Sequence, residues 1–161
     1  MLVVRPGRVA DAEALAAILN AIIARGGTTA HEVPFTPADL AGHYIDGPGV
    51  ISCQVAEAGG QVLGFQSLGQ HDGLPPGWAD IATFTRQDGK VPGAGSALMG
   101  ATLAAARAAG LDAINATIRA DNAGGLAFYR KMGFVQYGIS PAVPLGDGRP
   151  VDRLHHRRDP G

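Results

Sequence analysis

The sequence predicts an α/β fold, a mixed sheet with helices on its faces. Three observations carry this. An apolar stripe at helical spacing lies near the start, with Leu15, Ile18, Leu19, Ile22 and Ile23 at i, i+3, i+4, i+7 and i+8. Two strand-like runs, Val50 to Glu57 and Gln61 to Leu68, meet at Gly59-Gly60, the strongest hairpin signal in the chain. The elements then follow as β, α, α, β, β, β, α, β, α, β, β, which mixes hairpins with helical crossovers.

Each element has a local reason. Leu2-Val3-Val4-Arg5 is short and β-branched, and Pro6-Gly7 ends it. The striped helix spans Asp11 to Ala24 and stops at Gly26-Gly27. Thr28 to Phe35 has no period and reads as a loop. Thr36 is placed as an N-cap, with Pro37 at the first position of a short helix to about Tyr44. Asp72 to Gly77 is a loop, and Trp78 to Arg86 a strand. Ala94 to Ala109, rich in Ala, Leu and Met, is a helix closed by Gly110. Ala113 to Ile118 has the composition of a buried strand. Asn122 opens a short helix to about Met132, with Gly133 at its C-terminal end. Phe134 to Ile139 and Pro150 to Arg157 complete the strands.

Bulk properties narrow the function. The 161 residues suit one domain over 1–161 with a core of its own. Hydrophobic residues make up 46% and charged residues 17%, a globular composition. A formal net charge of -1 argues against nucleic acid or an anionic membrane as partner. No apolar run reaches spanning length, and the first residues lack the basic-then-apolar order of a signal peptide. The single cysteine, Cys53, allows no intrachain disulfide, which fits a reducing cytoplasm.

Two stretches carry chemistry. Lys90-Val91-Pro92-Gly93-Ala94-Gly95-Ser96-Ala97-Leu98 follows a strand and opens a helix. Glycines admit a ligand close to the backbone, and first-turn N–H groups at the positive end of the helix dipole hold phosphate. On these residues alone a phosphate cradle and a plain strand-to-helix turn weigh about evenly. The stretch is neither a P-loop nor a dinucleotide fingerprint, because no Gly-Lys-Ser/Thr ends it and no glycine follows Gly95 three residues on. The second stretch runs from Asn122 to Phe134 and contains Leu126, Phe128 and Tyr129. On periodicity alone these are packing side chains.

Together the stretches resemble the GNAT family of N-acetyltransferases. Its pyrophosphate loop, Arg/Gln-x-x-Gly-x-Gly/Ala, maps onto Lys90, Gly93 and Gly95. Its later Asn…aromatic-Tyr-x-Lys/Arg-x-Gly-Phe run maps onto Asn122, Phe128, Tyr129, Lys131, Gly133 and Phe134. The resemblance spans nearly the whole chain and implies a twisted, mostly antiparallel sheet of about seven strands with helices on both faces. A narrower likeness is to the phosphinothricin-type branch. It rests on Thr28-Thr29-Ala30, Phe35-Thr36-Pro37, the strand Trp78 to Thr85, and Pro150-Val151-Asp152. That branch usually has Glu where this chain has Asp80. It often has Arg after the third strand, where this chain has Gln70-His71.

The resemblance implies acetyl-CoA as cosubstrate and direct transfer of acetyl to the primary amine of a small molecule. It implies coenzyme contacts from Phe84, Thr85, Lys90, Gly93, Ala94, Gly95, Ser96, Ala97, Asn122 and Phe128. Thr29, His31, Glu32 and His71 fall on the substrate side. A backbone N–H near Phe84 or Thr85 would face the carbonyl oxygen. Tyr129 would face the departing sulfur. With a phenol near ~10 and a thiol near ~8.5, full proton transfer is uphill by about 2 kcal/mol, so a hydrogen bond to the developing thiolate suffices. Asp80 is the candidate base. A carboxylate at ~3.9 taking a proton from an amine near ~8 faces roughly 5–6 kcal/mol, whereas using the neutral amine at pH 7 costs only ~1.4 kcal/mol. Asp80 therefore reads as an ammonium binder or a relay through water. A homodimer is common in the resembled branch and is expected here.

Other residues read as structural. Cys53 sits in an alternating strand as core. His155 and His156 are adjacent, so a strand points them to opposite faces, and no metal is expected. Two other functions stay open on sequence: a coenzyme-binding regulatory domain without turnover, and an acetyltransferase for protein N-termini or lysines.

Overall fold

The computed structural model describes residues 1–161. Its strands are β1 (Leu2–Pro6), β2 (Val50–Ala58), β3 (Gln61–Gly69), β4 (Trp78–Thr85), β5 (Ala113–Arg119), β6 (Val135–Pro144) and β7 (Pro150–Arg158). Its helices are α1 (Ala12–Arg25), α2 (Pro37–Leu40), α3 (Ala94–Ala108) and α4 (Ala123–Lys131). The strands form one seven-stranded sheet in the order β1-β2-β3-β4-β5-β7-β6. Every neighbouring pair is antiparallel except β4 and β5.

Alternation along the strands gives the sheet two apolar faces. On one, α1 and α2 bury Leu15, Leu19 and Leu40 against Val55, Phe65 and Phe84. On the other, α3 and α4 bury Met99, Ala106 and Tyr129 against Ile81, Ile114 and Ala116. Cys53 is buried in the first of these layers.

Most local expectations hold. The Thr36 hydroxyl accepts from the Asp39 amide, with Pro37 at the first helical position. Asn122 caps α4 by accepting from the Gly125 amide, and Gly133 follows α4 at φ 89°. Two details differ. The short helix reaches Ile45, about as far as expected, but beyond Leu40 it widens into a π-type turn, Ala41–Ile45. The last hairpin is longer than its sequence suggests: β6 runs on to Pro144 through a bulge at Ala142, at φ 49°. Pro141 and Pro144 hide that extension, and β6 tolerates them because it is an edge strand.

The parallel pair shapes the molecule most. β4 and β5 are in register only at Trp78↔Ala113, Ala79↔Ile114 and Asp80↔Asn115. Beyond Asp80 they part, so the sheet splits while β4 stays paired with β3 as far as Thr85.

Candidate functional site

A cleft of about 500 Å³ opens where the sheet splits. β4 lines one side from Thr83 onward, the loop through Lys90 and Gly93 lies at one end, and the start of α4 lines the other side. The Arg86 amide donates to Leu63 O, and Phe84 pairs with Phe65, so the antiparallel ladder uses the Phe84 amide on β3. The alternate residues Thr83 and Thr85 therefore turn their backbone N–H groups to the side that β5 has vacated. Of the two sequence candidates near the carbonyl, Thr85 has the free amide. Phe84 instead packs its ring beside Phe65, Tyr44 and His31.

Two helix starts meet at this cleft. Gly93 adopts φ 88° at the N-cap of α3, a left-handed conformation that favours glycine. The amides of Gly93, Gly95 and Ser96 make no backbone hydrogen bond. Ala97 donates to Gly93 O at 2.9 Å and Ala94 makes a long contact of 3.4 Å to Val91 O. The open donors are thus fewer than the run Gly93 to Ala97 suggests, and Ser96 and Ala97 lie outside the cleft lining. Gly95 has a second reason to be glycine: a Cβ there would meet Phe128 Cε1 at 2.7 Å. Phe128 thereby fixes the distance between the two helix starts. At α4 the amides of Ala123 and Gly124 are likewise open. Lys90 lines the cleft and forms no ion pair. Open amides at two dipole ends, with apolar walls from Ile22 and Leu63, fit an anionic group joined to an extended, partly apolar arm.

Tyr129 reaches the cleft from α4 and is buried. Its hydroxyl lies 2.8 Å from Thr83 Oγ1, which accepts from Gln66 Nε2 at 3.0 Å. Burial pushes the phenol well above its ordinary pKa, the Thr83 hydrogen bond opposes that, and the Asp80 charge adds to it. Tyr129 therefore keeps its proton at neutral pH and can donate it.

Asp80 lies three residues before Thr83 on the opposite strand face, the face it shares with Phe84. Its Oδ1 accepts from Asn115 Nδ2 at 2.8 Å. Asn115 also donates to Thr117 Oγ1 and accepts from the Tyr137 hydroxyl. Asp80 Oδ2 has no partner and is not sealed from solvent. Burial raises the Asp80 pKa, while the Asn115 hydrogen bond and the His71 and His155 charges act to lower it. Asp80, expected in sequence as a base or an ammonium binder, is thus a half-buried carboxylate with one free oxygen, and it lies outside the residues that line the cleft.

The remaining substrate-side residues are placed unevenly. Thr29 lines the cleft, and its carbonyl accepts from Arg119 Nη1. His31 packs among Phe35, His43 and Tyr44, with a hydrogen bond to the Tyr44 hydroxyl; burial lowers its pKa. Glu32 lies outside the cleft and accepts from the Gly146 amide with both oxygens, at 3.0 and 2.9 Å. His71 is exposed beyond the end of β3. His155 bonds Thr117 and Ser140, whereas its neighbour His156 is buried, so the two do point apart.

Sequence reasoning missed Thr83, Gln66, Asn115 and Tyr137. The one signal available was the polar Asn115 and Thr117 inside the otherwise apolar strand Ala113 to Ile118. Their partners Asp80, Tyr137 and His155 come from β4, β6 and β7, so only the register brings them together.

Comparison with known proteins agrees with this architecture. A B. subtilis (strain 168) protein, YwnH, provisionally described as a phosphinothricin acetyltransferase, is 28% identical over 148 residues, 88% of this chain and 89% of its own. A crystal structure provisionally described as a phosphinothricin N-acetyltransferase superposes with a TM-score of 0.84 at 27% identity, over 100% of this chain and 99% of that one. A phosphinothricin acetyltransferase of Sinorhizobium meliloti, solved with acetyl-CoA, shares the fold at a TM-score of 0.83 and 20% identity, over 98% of this chain and 88% of that one. The family model for the acetyltransferase (GNAT) family matches residues 22–134. That match takes in the split of the sheet, both helix starts and Tyr129, and the chain belongs to this family of N-acetyltransferases, whose reaction draws its acetyl group from acetyl-CoA.

Proposed function

We propose that this chain transfers acetyl from acetyl-CoA directly to the primary amine of a small molecule, an amino acid or a phosphinothricin-like analogue, in a ternary complex. One observation carries the reading. At the split of the sheet, the Tyr129 hydroxyl meets Thr83 on one face of β4, and Asp80, three residues earlier on the other face, carries a free carboxylate oxygen.

Acetyl-CoA supplies a thioester, and the amine nitrogen forms the new N–C bond as the C–S bond breaks. The residues act around that exchange. Gly93, Gly95 and the start of α4 present backbone donors to the pyrophosphate, with Lys90 adding charge. Thr83 and Thr85 offer free strand amides to the extended arm and to the carbonyl oxygen as it gains charge. Tyr129 donates toward the sulfur, which carries away the electron pair. Asp80 Oδ2 holds the incoming ammonium and passes its proton to water before attack. Consecutive strand residues rise by ~3.4 Å, so Asp80 and Thr83 lie roughly 10 Å apart along β4.

A small acceptor is supported by the loop from Thr28 to Phe35. Asn122 and Arg119 hold its Thr28 and Thr29 carbonyls, and Glu32 ties it to the β6–β7 turn. The same reading places the enzyme in the cytoplasm as a homodimer, which sedimentation equilibrium checks. No helix is long and apolar enough to cross a membrane.

Thiol release from acetyl-CoA, measured across a panel of amino acids and their phosphinic analogues, tests the activity. Coenzyme binding without acetylation of any amine would sink the enzyme reading. Tyr129→Phe is expected to lower kcat roughly 100-fold and to leave acetyl-CoA binding within about twofold, because the phosphate donors are backbone groups. Loss of binding instead would show that the residue is misplaced.

A further inference from the structure

We infer that Thr83 and the buried amide of Gln66 are positioning residues, which together aim the Tyr129 hydroxyl into the cleft as a donor. This rests on the acetyl-transfer reading of Tyr129.

Gln66 pairs with Thr83 across β3 and β4 and is 0% exposed. A buried amide is costly unless it is hydrogen-bonded. Its Nε2 donates to Thr83 Oγ1, and its Oε1 has no partner. With the amide nitrogen facing it, Thr83 Oγ1 can only accept from Gln66, because an amide NH₂ has no lone pair to offer.

A threonine hydroxyl has one proton and two lone pairs. Gln66 occupies one lone pair. If Tyr129 donated to Thr83, the Thr83 proton would point at nothing, since the hydroxyl has no third partner. If Thr83 donates to Tyr129, its proton is satisfied and the phenol proton is released toward the cleft. The order is then Gln66 to Thr83 to Tyr129 to the leaving sulfur. Each bond accepted along such a chain strengthens the next donor. The Thr83 contact also works against the burial that raises the Tyr129 pKa. Tyr129 is thereby a better donor than a phenol held by packing alone.

The test is a double-mutant cycle on kcat with a fixed amine, using Thr83→Val and Tyr129→Phe singly and together. Thr83→Val keeps the side-chain shape and removes the hydroxyl. It is expected to lower kcat about tenfold, the value of one hydrogen bond, with KM for acetyl-CoA within twofold. In the Tyr129→Phe background the same change should cost nothing further. Thr83→Ser should restore most of the rate. Gln66→Met, which removes the amide donor at similar volume, supplies an independent arm if Thr83→Val folds poorly; it should also lower kcat only when Tyr129 is present. Wild-type kcat in Thr83→Val, or an equal loss in both backgrounds, would overturn the inference while leaving acetyl transfer intact. A wild-type protein that acetylates no amine would instead overturn the reading beneath it.

Discussion

Asp80 and Tyr129 share a physical problem, since each is a titratable group taken partly out of water beside a sheet. Burial raises both pKa values, with opposite consequences. For the phenol, a raised pKa secures the proton it donates. For the carboxylate, it weakens the charged form that holds an ammonium. Asn115 offsets part of that by donating to Oδ1, and leaves Oδ2 for the substrate. The proposed role needs ionised Asp80, so acetyl transfer should fall as pH drops through its raised pKa. The acid limb of kcat/KM is therefore expected above the ordinary carboxylate range near ~3.9. In Asp80→Asn the part of that limb due to the carboxylate should vanish, leaving the amine's own protonation, with the rate lower at every pH. A limb unchanged by Asp80→Asn would assign it to another group.

At the scale of elements, the site is a product of where helices begin and where strands part. α3 and α4 both start at the cleft, and one residue links α4 to the substrate loop. Asn122 Oδ1 caps α4 through the Gly125 amide, while Nδ2 donates to Thr28 O at 3.3 Å. Removing the side chain breaks both connections. Asn122→Ala is expected to cost about 1 kcal/mol of stability, the usual value of an N-cap, read from urea unfolding. It should also weaken acetyl-CoA binding, because the open amides of Ala123 and Gly124 lose their fixed direction. Unchanged binding would show that the start of α4 is held mainly by Phe128 against Gly95. β6 and β7 contribute differently: they carry Tyr137 and His155 to the Asp80 side of the sheet, where no helix covers them.

For the whole molecule, stability and acidity are linked through a second carboxylate far from the cleft. Asp11, just before α1, receives two hydrogen bonds from Arg5 of β1, at 2.8 and 2.9 Å, and one from the Arg8 amide. The Arg5 bonds hold its pKa below the usual value. The sign follows from linkage: a depressed carboxylate pKa stabilises the fold above the unfolded value near ~3.9, and that stability is lost as pH falls through the folded value. Urea midpoints for the wild-type protein should therefore drop below about pH 4. Asp11→Asn should show a lower midpoint at neutral pH and a shallower acid drop. A parallel fall in both proteins would place the acid sensitivity elsewhere.

The sequence by itself determined the order of elements, because each depends on neighbours in the chain. The stripe from Leu15 to Ile23, the Gly59-Gly60 turn, the Thr36 and Asn122 caps and the glycines at 93 and 95 are local signals. Spacing also made the Asn122-to-Phe134 run recognisable, and through it the family and Tyr129. Prolines in β6 hid the full last hairpin. Tertiary structure alone decided what surrounds each reactive group. The split after Asp80, the free amides of Thr83 and Thr85, the Asn115 bond to Asp80 and the Gln66–Thr83–Tyr129 chain all depend on strand register. A tight turn fixes register within a hairpin, but β3–β4 and β4–β5 are joined by longer connections, so which of their residues face one another is decided when the apolar faces pack.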